Sequence, residues 1–123
     1  MSPSFPASPD PRTPRNRVAR TEAPTIGAVS TARATTAVDD ERVRITTWTF
    51  AANGEATGWH VHEYDYIVVP VTGGTFAVTA PDGGTRELIQ EAGSPYLGSA
   101  GTEHDVVNAG GAVAIFVEIE LKR

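Results

Sequence analysis

The chain has 123 residues, no cysteine, 40% apolar residues and a net charge of −5. One domain is expected at that length, and without cysteine there is no disulfide, zinc–thiolate site or thiol nucleophile. No apolar run nears the roughly 20 residues that a bilayer crossing takes, so a soluble protein with no membrane partner is expected.

Residues 1–38 hold Pro3, Pro6, Pro9, Pro11, Pro14 and Pro24, with five arginines set against Asp10 and Glu22. The few large apolar residues there, such as Phe5, Val18 and Ile26, follow neither a helical nor a strand period. Such a stretch buries too little surface to offset the entropy of ordering it, so 1–38 is predicted to be a disordered Pro/Ala/Arg-rich tail. It lacks the continuous apolar segment of a secretory signal, and a cytoplasmic location is expected. The folded domain is expected over 39–123. That part is acidic, which argues against a nucleic-acid partner, since phosphate neutralisation supplies most non-specific affinity.

Within the domain, Val43 and Ile45 alternate with polar residues, and the apolar parity then flips to Trp48 and Phe50. The flip predicts either a bulge near Thr46–Thr47 or a strand whose two ends present apolar groups on different faces. Ile67-Val68-Val69-Pro70-Val71 reads as a strand covered on both sides. Phe76 and Val78 share one face of a further strand. At the C-terminal end, Val113, Ile115, Val117, Ile119 and Leu121 alternate with Ala114, Phe116, Glu118 and Glu120, a period of two. Gly73-Gly74, Pro81-Asp82-Gly83-Gly84, Gly93-Ser94-Pro95 and Gly110-Gly111 supply the turns. Short strands at this spacing predict an all-β sandwich or barrel.

The three histidines are His60, His62 and His104. In Trp59-His60-Val61-His62 the spacing of two turns both imidazoles to one face of a strand. Neutral imidazole is a common ligand for zinc, iron, copper and nickel, so the pair suits a metal. A His-x-His pair also occurs on exposed faces with no metal, and that reading stays open at this point. His104 lies in Gly101-Thr102-Glu103-His104-Asp105-Val106-Val107-Asn108, where a turn at Gly101 would let the next strand aim its histidine inward.

This framework resembles the cupin superfamily. The first motif of that family runs glycine, five residues, His-x-His, three or four residues, glutamate, six residues, glycine; here it reads Gly54, His60, His62, Tyr66, Gly73. The second runs glycine, five residues, proline, one residue, glycine, two residues, histidine, three residues, asparagine; here it reads Gly93, Ser99, Gly101, His104, Asn108. Only Tyr66 and Ser99 depart from the pattern. The stretch from Gly58 to Pro70 further resembles short bacterial cupins, some named for β-alanine degradation. The resemblance implies a small jelly-roll β-barrel with a divalent metal held by His60, His62 and His104.

The resemblance also implies a glutamate ligand, and Tyr66 stands in its place. Three neutral imidazoles leave the ion's charge uncompensated. That favours Fe²⁺ or Zn²⁺, with Ni²⁺ and Cu²⁺ also accommodated and Mn²⁺ less so, and it favours a small anionic ligand or substrate. Tyr66 has three open roles: phenolate ligand, hydrogen-bond donor to bound substrate (a catalytic role), or filler of the barrel. Glu63 and Asp65 are the acids near enough in sequence to replace the glutamate. Arg44 and Arg86 read as surface charges unless they face inward. Trp48, Trp59, Phe76, Tyr96 and Phe116 are core or pocket candidates. Ser99 and Thr102 lack the partners of a hydrolase triad.

Three functions follow from the resemblance and stay open together. One is a dioxygenase-like enzyme acting on a small carboxylate or carbonyl compound. The second is a non-catalytic sensing module whose metal is structural or absent, and the third is a metal-dependent isomerase or decarboxylase. The small size and free strand edges of such a domain predict a homodimer.

Overall fold

The computed structural model describes residues 31–52 and 54–122. Nine strands follow in chain order: β1 (Arg33–Asp39), β2 (Val43–Phe50), β3 (His60–Val61), β4 (Asp65–Pro70), β5 (Gly74–Thr79), β6 (Thr85–Gln90), β7 (Tyr96–Gly98), β8 (Glu103–Asn108) and β9 (Ala114–Leu121). They form a five-stranded sheet, β1-β2-β9-β4-β7, and a four-stranded sheet, β3-β8-β5-β6. Every pairing between the strands is antiparallel. No helix of the described residues is long and apolar enough to cross a membrane.

The fold starts earlier than the boundary expected at Asp39. β1 runs from Arg33 and pairs along β2, and Ala32 is already in the core. The short Ala-Thr-Thr-Ala run has too little apolar character to register as a strand, and only pairing with β2 makes it one. The rest of the expected tail, residues 1–30, lies outside the described residues.

The parity flip in β2 is settled by register. β2 pairs with β9 without interruption from Val43↔Leu121 to Phe50↔Ala114, so β2 has no bulge against β9. Trp48 and Phe50 turn inward, whereas Val43 and Ile45 lie on the outer face. The register shift lies across the ladder in β1, between Thr36 and Val38. Inside, Phe50, Phe76 and Phe116 pack with ring centroids 5.1, 5.5 and 5.8 Å apart. Each such buried ring contributes about 1.5–3 kcal/mol.

β9 and β4 divide their faces in a way that alternation alone leaves open. Ala114 and Phe116 are buried, so Glu118 and Glu120, two and four residues on from Phe116, share the inner face. The regular apolar set Ile115, Val117, Ile119 and Leu121 therefore faces out. On β4, Tyr66, Val68 and Pro70 are buried, while Ile67 and Val69 are only half-buried on the outer face. The chain itself thus covers one side of β4, not both.

Asn108, 2% exposed, ties off the end of β8. Its Nδ2 donates to the carbonyls of Ala51 (2.9 Å) and Ala112 (3.0 Å), and its Oδ1 accepts from Gly110 N–H at 2.9 Å.

Candidate metal centre

Strand pairing brings the histidines together. β3 and β8 are antiparallel with His60 directly opposite His104, and residues so placed share one face at close range. The ladder continues past β3: His62 N–H donates to the Thr102 carbonyl at 2.8 Å, and Gly101 N–H donates to the His62 carbonyl at 2.7 Å. Gly101 has φ +88°, a conformation that suits glycine, and its turn delivers both backbone partners of His62.

The three Nε2 atoms converge. His60 to His62 is 3.2 Å, and His62 to His104 is also 3.2 Å. Metal–nitrogen bonds of about 2.0–2.1 Å place neighbouring ligand nitrogens roughly 3–3.4 Å apart, so the spacing matches a shared cation. His60 Nδ1 lies 2.9 Å from the Gly58 carbonyl, to which it donates. That bond puts the proton on Nδ1 and leaves the Nε2 lone pair facing the centre, as metal-ligating histidines require.

Electrostatics agree with this arrangement. Burial, then the charges of His60 and His104, push His62 down to about 3. Burial, His60 and Arg86 push His104 down to about 4, and burial lowers His60 as well. All three rings are therefore neutral at pH 7, the form in which an imidazole can offer a lone pair to a cation. The donor set fits a divalent metal ion.

Neither sequence-near acid replaces the missing glutamate. Glu63 is exposed, and Asp65 Oδ1 instead accepts from Ala100 N–H at 2.8 Å. The carboxylate near the cluster is Glu118 of β9, whose Oε2 lies 3.9 Å from His62 Nε2. His62, Glu118 and Glu120 form a second group of potential ligands that shares His62 with the first. Burial and the charge of Glu120 raise Glu118 to about 7, against a hydrogen bond from Trp48 and the charge of Arg44. Sequence reasoning missed Glu118 because it is 56 residues from His62. Its parity with Phe116 was the available signal.

Tyr66 stacks on His62, with centroids 3.8 Å apart and planes 17° apart. Burial raises its hydroxyl above the ordinary value despite a hydrogen bond with Thr102. A phenol raised in this way stays protonated at neutral pH unless a bound cation lowers it.

A cavity beside the histidines is lined by Tyr66, Trp48, Tyr96, Phe116, Arg86 and Glu118, among others. Phe76 is buried in the core, while Trp59 is 49% exposed and donates to Glu103 on the outside. Arg44 is half-buried on the inner face of β2, contrary to the surface reading, whereas Arg86 is exposed and borders the cavity at its rim. Arg44 is bound to Glu120 at 2.7 Å and Asp39 at 3.3 Å. Arg86 lies opposite Val78 and reaches the cavity.

Two facing antiparallel sheets with imidazoles converging between them define a protein class, and known proteins identify it. No family model matches the chain. It is 44% identical over 88 residues to the Beta-alanine degradation protein BauB of Pseudomonas aeruginosa, covering 72% of this chain and 90% of that protein. A cupin domain of Bordetella pertussis Tohama I, solved by crystallography, superposes with a TM-score of 0.74 at 38% identity, over 78% of this chain and 98% of that one. The polyketide cyclase RemF of Streptomyces resistomycificus superposes at 0.57 with 21% identity, over 77% and 70% of the two chains, and shares the fold. The chain belongs to the cupin superfamily, and within it is a small cupin resembling BauB.

Proposed function

We propose that this cupin binds one divalent metal ion through His60, His62 and His104 and acts on a small carboxylate or carbonyl compound in a dioxygenase-like reaction. The observation that carries it is the 3.2 Å convergence of three neutral Nε2 atoms at the edge of a cavity. Three imidazoles with no charged first ligand suit Fe²⁺ or Zn²⁺ and leave room for an anion beside the ion. The name of the Pseudomonas aeruginosa relative, which concerns breakdown of a small amino acid, agrees with a small carboxylate.

The ion would supply Lewis acidity and, if iron, redox chemistry with dioxygen. The chain's own groups do the rest. Tyr66 faces the cavity and offers its hydroxyl to a bound substrate, oriented by the His62 stack and Thr102. Glu118, raised to about 7, can hold or release a proton near neutral pH. Trp48, Val68, Leu88 and Phe116 keep water from the inner wall.

Two copies pair, in this reading, through the outer face of the five-stranded sheet. Ile45, Ile67, Val69, Val117 and Ile119 lie together there, with Leu97 at the edge 74% exposed. A contiguous apolar sheet face of that kind marks an interaction surface.

The deciding experiment is metal analysis of untagged protein, followed by oxygen uptake on adding candidate acids. Stoichiometric iron with uptake supports the proposal. Tightly held zinc with no uptake leaves the metal site and removes the oxygenase. Protein that retains no divalent ion overturns both.

A further inference from the structure

The cavity wall formed by β6 and β7 carries polar groups that the histidine centre does not use. Arg86, Leu88 and Gln90 share the cavity-side face of β6, in register with Val78, Phe76 and Gly74, and burial deepens along it from exposed Arg86 to buried Gln90. Gln90 is 4% exposed. Its Nε2 donates to the Tyr96 hydroxyl at 2.9 Å, and its Oε1 has no hydrogen-bond partner. Leaving a buried amide oxygen bare costs about 1–3 kcal/mol, and folded proteins keep few such atoms. Exchanging the amide oxygen and nitrogen does not remove the problem. The oxygen would then accept from Tyr96, and two N–H groups would be bare in its place.

Gln90 lines the cavity that His60, His104 and Tyr66 also line. Arg86 stands on the same wall and, among the described residues, makes none of the ion pairs that occupy Arg44. One end of the cavity is therefore cationic once a metal is held, with a guanidinium beside it. A buried acceptor, Gln90 Oε1, waits further along the wall that Arg86 shares.

We infer that Gln90, held by Tyr96, is a specificity residue for a bifunctional small acid. The carboxylate lies between Arg86 and the histidine-bound cation, and an N–H or O–H group elsewhere on the molecule donates to Gln90 Oε1. The inference rests on the proposed anion site at the histidines and adds the second recognition point. A site built to accept a hydrogen bond discriminates against an analogue lacking the donor, because its polar atom then stays bare.

The test uses the full chain loaded with Zn²⁺, titrated calorimetrically with matched acids: propanoate against 3-hydroxypropanoate, and butanoate against 4-hydroxybutanoate. In at least one pair the hydroxy acid should bind about tenfold tighter. Gln90→Met should erase that advantage, leave the plain acid's affinity unchanged and melt no lower than the parent. Gln90→Leu serves as a second variant with the same expectation. Equal binding within both pairs, or an advantage that survives both substitutions, overturns the inference while the anion site stands. Zinc-loaded protein that binds none of the four acids overturns the anion site itself, and this inference with it.

Discussion

The Tyr66 ring lies flat against the His62 imidazole, centroids 3.8 Å apart, and it also lies over the bare backbone of Gly98. Tyr66 and Gly98 are register partners between β4 and β7, so the ring crosses the neighbouring strand where any side chain would collide with it. The residue replacing the usual glutamate thus positions a histidine, and one glycine makes room for it.

Gly98→Ala should therefore be destabilising by about 2–3 kcal/mol, as an overpacked core position. Most of that cost should vanish in a Tyr66→Ala background. Urea denaturation of the four proteins of this cycle measures the coupling, and additive effects would show that the two residues do not interact.

Removing one ligand should separate metal from fold. His104→Ala should lose divalent-ion retention while keeping the β circular dichroism of the parent, since the core around Phe50, Phe76 and Phe116 does not depend on it. Elemental analysis after dialysis checks this, and a variant that keeps one equivalent of metal refutes it.

Stability should follow pH through the histidines. Folding lowers His62 to about 3 and His104 to about 4 from 6.5, and lowers His60 too. Between about pH 6.5 and 4 the unfolded chain binds more protons, so the apoprotein is most stable above that window and loses stability as pH falls through it. Glu118, raised to about 7 from 4.5, acts in the opposite sense across part of the window, one group against three. Melting temperatures measured with a chelator should fall from pH 7 to pH 4.5. With zinc the fall should be steeper, because protons compete with the ion for the same nitrogens.

Glu118→Gln should lower divalent-ion affinity by about tenfold or more, since it removes the carboxylate 3.9 Å from His62. Competition titration against a chromogenic chelator reads the change. An unchanged affinity would remove Glu118 from the electrostatics of the site.

Ile119→Lys should convert a dimer to a monomer in light scattering at micromolar concentration, because a charge on the outer face opposes its burial. An unchanged mass for parent and variant would place the interface elsewhere or remove it.

Much of the fold was legible in the chain. The period of two near the C-terminus and the glycine-marked turns predicted strands that are present, and His60, His62 and His104 were singled out before any strand was paired. What misled was local character without neighbours. β1 has too few apolar groups to announce itself, Ile67 and Val69 suggested cover on both faces, and Arg44, paired with Glu120 on the inner face, passed for surface charge.

Residue spacing by itself determined which side chains within each strand share a face, because the strand repeat is a property of the backbone. It also determined where positive φ could be reached. Which of the two faces points inward was decided only when β9 fell between β2 and β4, since that follows from packing against a second sheet. The same packing put Glu118 beside His62 and left Gln90 with an unanswered oxygen, relationships between residues that no local pattern in the chain encodes.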